Sequence, residues 1–283
     1  MFFCLWLAHS LIIAAYLLHE CMHNTIFKSS KHNEILGKVL SWFTGAVYTP
    51  YEILKQKHLR HHADRVDVLL LDTNDLFGKS PLLTWLAKKL QYVYVPAFEI
   101  LTHVLSILAP FYIVSRKQYR GYVIRVITGR LVFFLLLASI EIMILLAYFV
   151  AYLLFLFVLG FMDTFQHLYE VRYSLNSNKV LREFDREYEE SHTFSNLISQ
   201  HHPWLNLLVL NFCYHNVHHY KSGLPWHELP DVHESRYRDK AAPVICLGEQ
   251  LRRYHRERCN CFSSKNSVTK DVGATGVSFL VGI

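Results

Sequence analysis

The chain has 283 residues, 52% of them hydrophobic and 14% aromatic, and a positive mean hydropathy, which is the balance of a membrane protein rather than a soluble domain. Its six cysteines (Cys4, Cys21, Cys213, Cys246, Cys259, Cys261) show no paired framework, which excludes a disulfide scaffold, and the lone CNC lacks the second half of a zinc site. The net charge of +6 sits in polar segments between apolar runs, as expected for the cytoplasmic side of a membrane protein; such a surface also suits anionic lipid headgroups or an acidic partner.

The first apolar run, Phe2 to Leu18, ends directly at His19. It has no basic start and no small-residue cleavage site, so it reads as a short span and not as a signal peptide. A weaker run, Ile35 to Leu54, contains Gly37, Gly45, Pro50 and Glu52 and reads as an interfacial or re-entrant segment. Tyr92 to Val114 is apolar but holds Glu99 and His103, which are costly in lipid, so an interfacial position is expected. Leu131 to Met162 would make a single helix of about 48 Å at about 1.5 Å per residue, against a hydrocarbon core of about 30 Å, so it is expected to form two spans in a hairpin. The five charges Arg116, Lys117, Arg120, Arg125 and Arg130 then stay on the side favoured by the positive-inside rule. The alternative, in which Tyr92 to Val114 and Leu131 to Met162 each cross once, puts them on the far side. Lys179 to Glu190 is charge-dense and reads as a solvated helix or loop, and the tail from Cys261 carries no strong signal.

Eight of the eighteen histidines fall into three clusters: His19 and His23 in HECMH, His58, His61 and His62 in HLRHH, and His215, His218 and His219 in HNVHH. Positions three and four apart share one face of a helix, so each cluster is expected to aim its imidazoles at a common point. Neutral imidazole is a ligand for iron, copper, zinc and nickel. Eight such ligands are too many for one ion and suit two. An even number of membrane crossings between the second and third clusters lets all three meet on one side.

The three boxes, with HLRHHADRVD, the stretch FMDTFQHLYE and the segment YHNVHHYKSGLPWHELPDVH, resemble the integral-membrane fatty acid desaturase and hydroxylase superfamily from His19 to about His233. The resemblance implies an all-α membrane bundle with a cytoplasmic helical cap carrying the boxes. It adds His167, after Gln166, as a ninth ligand candidate. It implies two iron ions, O2 as co-substrate, and double-bond formation in a long acyl chain, with hydroxylation or ketolation of an acyl chain or carotenoid as the alternative. Glu20, where the family commonly has aspartate, and Asp64, Asp67, Asp163 and Glu170 are candidates to hold the second ring nitrogen of a ligand histidine. With no flavin, haem or iron–sulfur motif in the chain, electrons are expected from a separate ferredoxin-like donor, met by a basic face that includes Lys55 and Lys57. Members of the superfamily carry another span ahead of the first box. The expectation is thus a single domain over residues 1–283 lacking that N-terminal span, whether as a minimal member, a truncation or a fragment.

Two other readings use fewer of these residues. HECMH satisfies the zinc-protease pattern HExxH, but neither Asp72 nor Asp163 lies in the DG context of a third ligand, and both HxxHH boxes are left idle. A metal transporter would place its ligands within the spans rather than beside them.

Overall fold

A computed structural model describes residues 2–69, 79–169, 172–174 and 185–262. Helix α1 (Phe2–His23) is followed by α2 (Ser30–Thr44), a 3-10 turn at Ala46–Tyr48 and α3 (Tyr51–Asp64). Next come α4 (Pro81–Tyr92), α5 (Ala97–Tyr112), α6 (Arg120–Ile140) and α7 (Ile142–Asp163), then the short helices α8 (Arg186–His192), α9 (His215–Tyr220) and α10 (Leu229–Tyr237), and finally α11 (Leu247–Glu257). The described strands are β1 (Asp67–Leu69) and β2 (Arg172–Ser174), paired in parallel with Asp67 opposite Arg172. The fold is therefore helical, with one small sheet beside the second histidine box.

Among the described residues, three segments are long and apolar enough to cross a membrane: Phe2–His23, Val114–Ile140 and Ile142–Asp163. Only 17% and 22% of the apolar windows of the last two are buried within the protein, so most of their leucines and phenylalanines face outward. In water that surface would be untenable; in hydrocarbon it is solvated. The long apolar run breaks at Glu141, whose backbone is extended and whose side chain accepts a hydrogen bond from Met143 N at 3.3 Å. The Glu141 N-cap thus turns the chain between α6 and α7, and Phe134 packs at a tilt against Tyr148 and Phe149 between the two helices.

The core joins α1 to α7: Leu11, Ile12, Ala15, Tyr16 and Leu18 pack in one cluster with Phe155, Leu156 and Leu159. Helix α2 lies along α1 and ends beside the middle of α7. By about 1.5 Å per residue, Tyr152 stands roughly 16 Å from the Asp163 end of α7, about half the hydrocarbon thickness. A chain reversal at that depth needs its carbonyls satisfied by protein. Three side chains do this: Arg130 Nη1 donates to Trp42 O at 2.6 Å, Tyr152 Oη to Thr44 O at 3.0 Å, and Tyr122 Oη to Val47 O at 2.8 Å. Gly45 makes the turn at φ 77°, and a Cβ there would run into the Tyr152 hydroxyl. The α2–α3 unit therefore runs beside α1 and α7 and turns back, bringing the second box beside the first. Helix α5 begins with Glu99 against Gly160, near the end of α7, and ends where Arg120 of α6 donates to Pro110 O and Phe111 O. Both its ends stay on the histidine side.

Candidate metal centre

Each histidine box is carried by a helix whose position is fixed nearby. His19 and His23 form the last turn of α1, one helical turn apart. His58, His61 and His62 lie on α3, which ends at Arg65 in the left-handed conformation (φ 53°). The third box is on the six-residue α9, too short to hold itself. Left-handed Leu210 and Asn211 turn the chain into it, Asn206 donates to the Tyr214 hydroxyl at 3.1 Å, and Asn216 donates to Thr193 O at 2.9 Å. His167 lies just beyond α7, bridged to Thr193, and its neighbour Gln166 donates to Asn196 Oδ1 at 3.1 Å.

All nine imidazoles meet, in two groups. His19, His23, His58, His62 and His218 form one, His61, His167, His215 and His219 the other, and the ligand atoms within each group all lie within 4.8 Å of one another. The groups are adjacent, with the His62 and His219 rings 4.1 Å apart at their centroids. The expectation that each box aims at one point is corrected for both HxxHH boxes. Histidines four apart stay together, as His58 with His62 and His215 with His219. The third member of each box, His61 or His218, joins the opposite group. Consecutive residues diverge by about 100° around a helix, so an HH doublet must straddle two centres.

The nitrogens lie close enough together to hold a cation. His58 Nε2 lies 2.7 Å from His23 Nε2 and 3.2 Å from His62 Nε2, and His218 Nε2 lies 3.1 Å from His62 Nε2. In the second group His167 Nε2 is 2.8 Å from His215 Nε2 and 2.9 Å from His219 Nε2. Ligands at about 2.1 Å on adjacent octahedral corners stand about 3.0 Å apart, so these spacings fit donors sharing one ion. Burial, with repulsion between the rings, holds His58, His62, His167, His215, His218 and His219 well below the ordinary imidazole pKa. His61 is lowered too, mainly by burial, with Asp67 and the Val66 carbonyl opposing the shift. Neutral imidazole is the ligating form.

The second nitrogens of His61 and His219 bond to groups outside the sequence candidates. His61 Nδ1 donates to Val66 O at 2.7 Å, with Asp67 Oδ1 at 3.9 Å. His219 Nδ1 donates to Glu189 Oε1 at 3.0 Å, and Arg65 Nε pairs with the other oxygen of that carboxylate at 3.1 Å. Glu189 falls in the charge-dense stretch read as solvated, yet it is buried. Nothing local marks it, because only the fold carries α8 across to α9. Among the sequence candidates, Glu20 stands 3.6 Å from His19 Nδ1, but its other oxygen accepts from Thr25 Oγ1 at 2.6 Å and Trp226 N at 3.1 Å, so it also braces the segment after the third box. Asp64 pairs with Arg60 at 2.6 Å, one turn back on α3, and its carboxylate is turned to that surface pair. Asp163 lines a small cavity of about 40 Å³ together with Lys57, Asp67, Gln166 and four of the histidines. Glu170 and Asp72 lie outside the described residues.

Lys57 does not belong to a basic docking face. It is buried, and that burial brings its ammonium down to about 7 while Asp67 opposes the shift. Lys55, nearer the surface, bonds Asn24 Oδ1 at 3.1 Å.

A family model described as fatty acid desaturase matches residues 1–246. No curated protein and no solved structure matches the chain.

Proposed function

The chain belongs to the fatty acid desaturase family, and from that premise we propose that it is an O2-dependent oxidoreductase that introduces a double bond into a long acyl chain of a lipid. The observation that carries this reading is the packing of nine imidazoles into a group of five and a group of four, side by side, in a chain with three helices apolar enough to cross a membrane. His19, His23, His58, His62 and His218 would hold one iron, and His61, His167, His215 and His219 the other. Such a pair, when bound, supplies the dioxygen chemistry needed to break an unactivated C–H bond, which no side-chain acid or base can deprotonate.

The chain's own residues do the rest. Helix α1, the α2–α3 unit and the α9 segment hold three sets of ligands rigidly on one side of the membrane. Glu189, hydrogen-bonded to His219 Nδ1, fixes the tautomer that leaves Nε2 free to ligate. An apolar groove of about 590 Å³ opens among α1, α2, α6 and α7, lined by Phe3, Leu7, Leu11, Trp42, Phe133 and Ile144 among others; it lies toward the end of α1 away from the boxes and would take the distal part of an alkyl chain, not the carbons that react. Removing two hydrogens from the acyl chain and reducing O2 to two waters takes two further electrons and two protons. A separate donor of the ferredoxin type would supply the electrons. Arg116, Lys117, Arg120 and Arg125, at the start of the α6–α7 hairpin, support a cytoplasmic position for the histidine side by the positive-inside rule.

The test is expression of the full chain in a host, with iron measured per protein and host lipids profiled by mass spectrometry, beside the His61→Ala variant. New double bonds that vanish in the variant, with two irons per chain, are expected. Products heavier by one oxygen would replace desaturation by hydroxylation, and bound zinc with unchanged lipids would overturn both.

A further inference from the structure

Helix α4 has its polarity reversed. It turns the small Ala87 and the polar Gln91 inward, at 5% and 3% exposure, while Leu82 is 76%, Trp85 57% and Leu86 48% exposed. Leu90 continues this outer face, Tyr92 and Val93 extend it beyond the helix end, and no aspartate or glutamate occurs in the helix. Lys88 and Lys89 are exposed on the same helix, and neither has an ion-pair partner among the described residues. Lys89 lies 6.0 Å over the Trp85 ring.

Helix α11 is fastened to α4. Gln91 Nε2 donates to the Tyr254 hydroxyl at 3.3 Å, and the buried Arg258 donates to Gln91 O at 3.1 Å and to Tyr92 O at 2.6 Å. Exposed Leu251 and Arg252 extend the platform on α11. Its depth is set by α7: Gln250 Nε2 donates to Phe161 O at 2.7 Å, and Tyr254 packs edge-on to Phe157 and Phe161. Those rings belong to the last two turns of α7, so the platform stands at the histidine-side end of the span. Val104, Leu108 and Tyr112 are likewise exposed on α5.

We propose that α4 and α11 form a platform in the headgroup layer of the histidine-side leaflet that binds anionic phospholipid. Leu82, Trp85, Leu86 and Leu90 enter the acyl region, and Lys88, Lys89 and Arg252 take the phosphates. An apolar stripe with an aromatic anchor and flanking cations is what such a surface requires. Lysine in the middle of the stripe reaches the headgroups by extending its alkyl stem along the helix. The platform rests on the reading that the chain spans a membrane, though not on the reaction it catalyses.

The test reconstitutes the full chain in phosphatidylcholine bilayers containing phosphatidylglycerol, with bromine placed on the acyl chains of one lipid or the other, and reads tryptophan fluorescence. The quenching component assigned to Trp85 is the one lost in Trp85→Phe. Brominated phosphatidylglycerol is expected to quench it at a surface concentration on the order of tenfold lower than brominated phosphatidylcholine, and the preference is expected to vanish in the Lys88→Glu, Lys89→Glu double variant. Equal quenching by both lipids would overturn the anionic preference. A Trp85 shielded from both lipids and from aqueous iodide would overturn the membrane platform in favour of a protein partner. Trp6, exposed on α1, separates the underlying assumption: if its component too is unquenched by lipid, the spanning reading fails, whereas quenching of Trp6 alone refutes only the platform.

Discussion

At the scale of single residues, the site depends on groups that hold histidines as well as on the histidines. Glu189 bridges Arg65, at the end of the second box, to His219 in the third. Burial raises its carboxyl pKa, and the Arg65 ion pair opposes that shift. Glu189→Ala is expected to weaken metal binding about 10- to 100-fold, with Glu189→Gln between it and the parent, as read by metal titration of the purified chain. Retention of full affinity in both variants would remove Glu189 from the site. The imidazoles also set an acid limit. Their folded pKa values lie below the ordinary 6.5, so as pH falls through 6.5 the unfolded chain gains protons that the folded chain refuses. Stability of the metal-free protein is therefore complete above that pH and lost below it. Thermal melts across pH, in the presence of chelator, should show a flat upper plateau and a falling acid limb; a plateau extending to pH 4 would contradict the buried neutral state.

At the scale of elements, the decisive unit is the α2–α3 reversal. Its three carbonyls are served from α6 and α7, and each lost donor leaves a polar group in apolar surroundings at about 1–3 kcal/mol. Tyr152→Phe is expected to lower stability by that amount. Gly45→Ala should cost more, because it combines a left-handed backbone with a collision at the Tyr152 hydroxyl. Detergent melts of both variants check the order, and an unaffected Gly45→Ala would mean that the turn is not held as described. The sequence marks this segment by its glycines, its proline and its middling hydropathy. It does not show that Tyr122, Arg130 and Tyr152 close the turn, since those partners lie some 75 to 108 positions away.

At the scale of the whole molecule, the histidines tie together parts of the chain that otherwise share little. One group joins α1, α3 and α9; the other joins α3, the segment after α7, and α9. Removing bound metal should therefore lower the melting temperature of the entire chain in one transition, restored by adding iron back, with the shift following ligand concentration. A local transition confined to α9 would indicate a weaker coupling. Composition and apolar runs determined by themselves that the chain is helical and membrane-associated, because the bilayer imposes length and polarity on each span. The spacing of the boxes singled out the imidazoles, because one helical turn separates residues four apart. Which imidazoles share a group was decided only by tertiary structure: His61 and His62 are neighbours in sequence but diverge around α3, and each meets partners delivered by other helices. The same holds for Glu189 and Lys57. Their residue types suggested a solvated charge and a surface cation, whereas burial depends on what the fold places beside them.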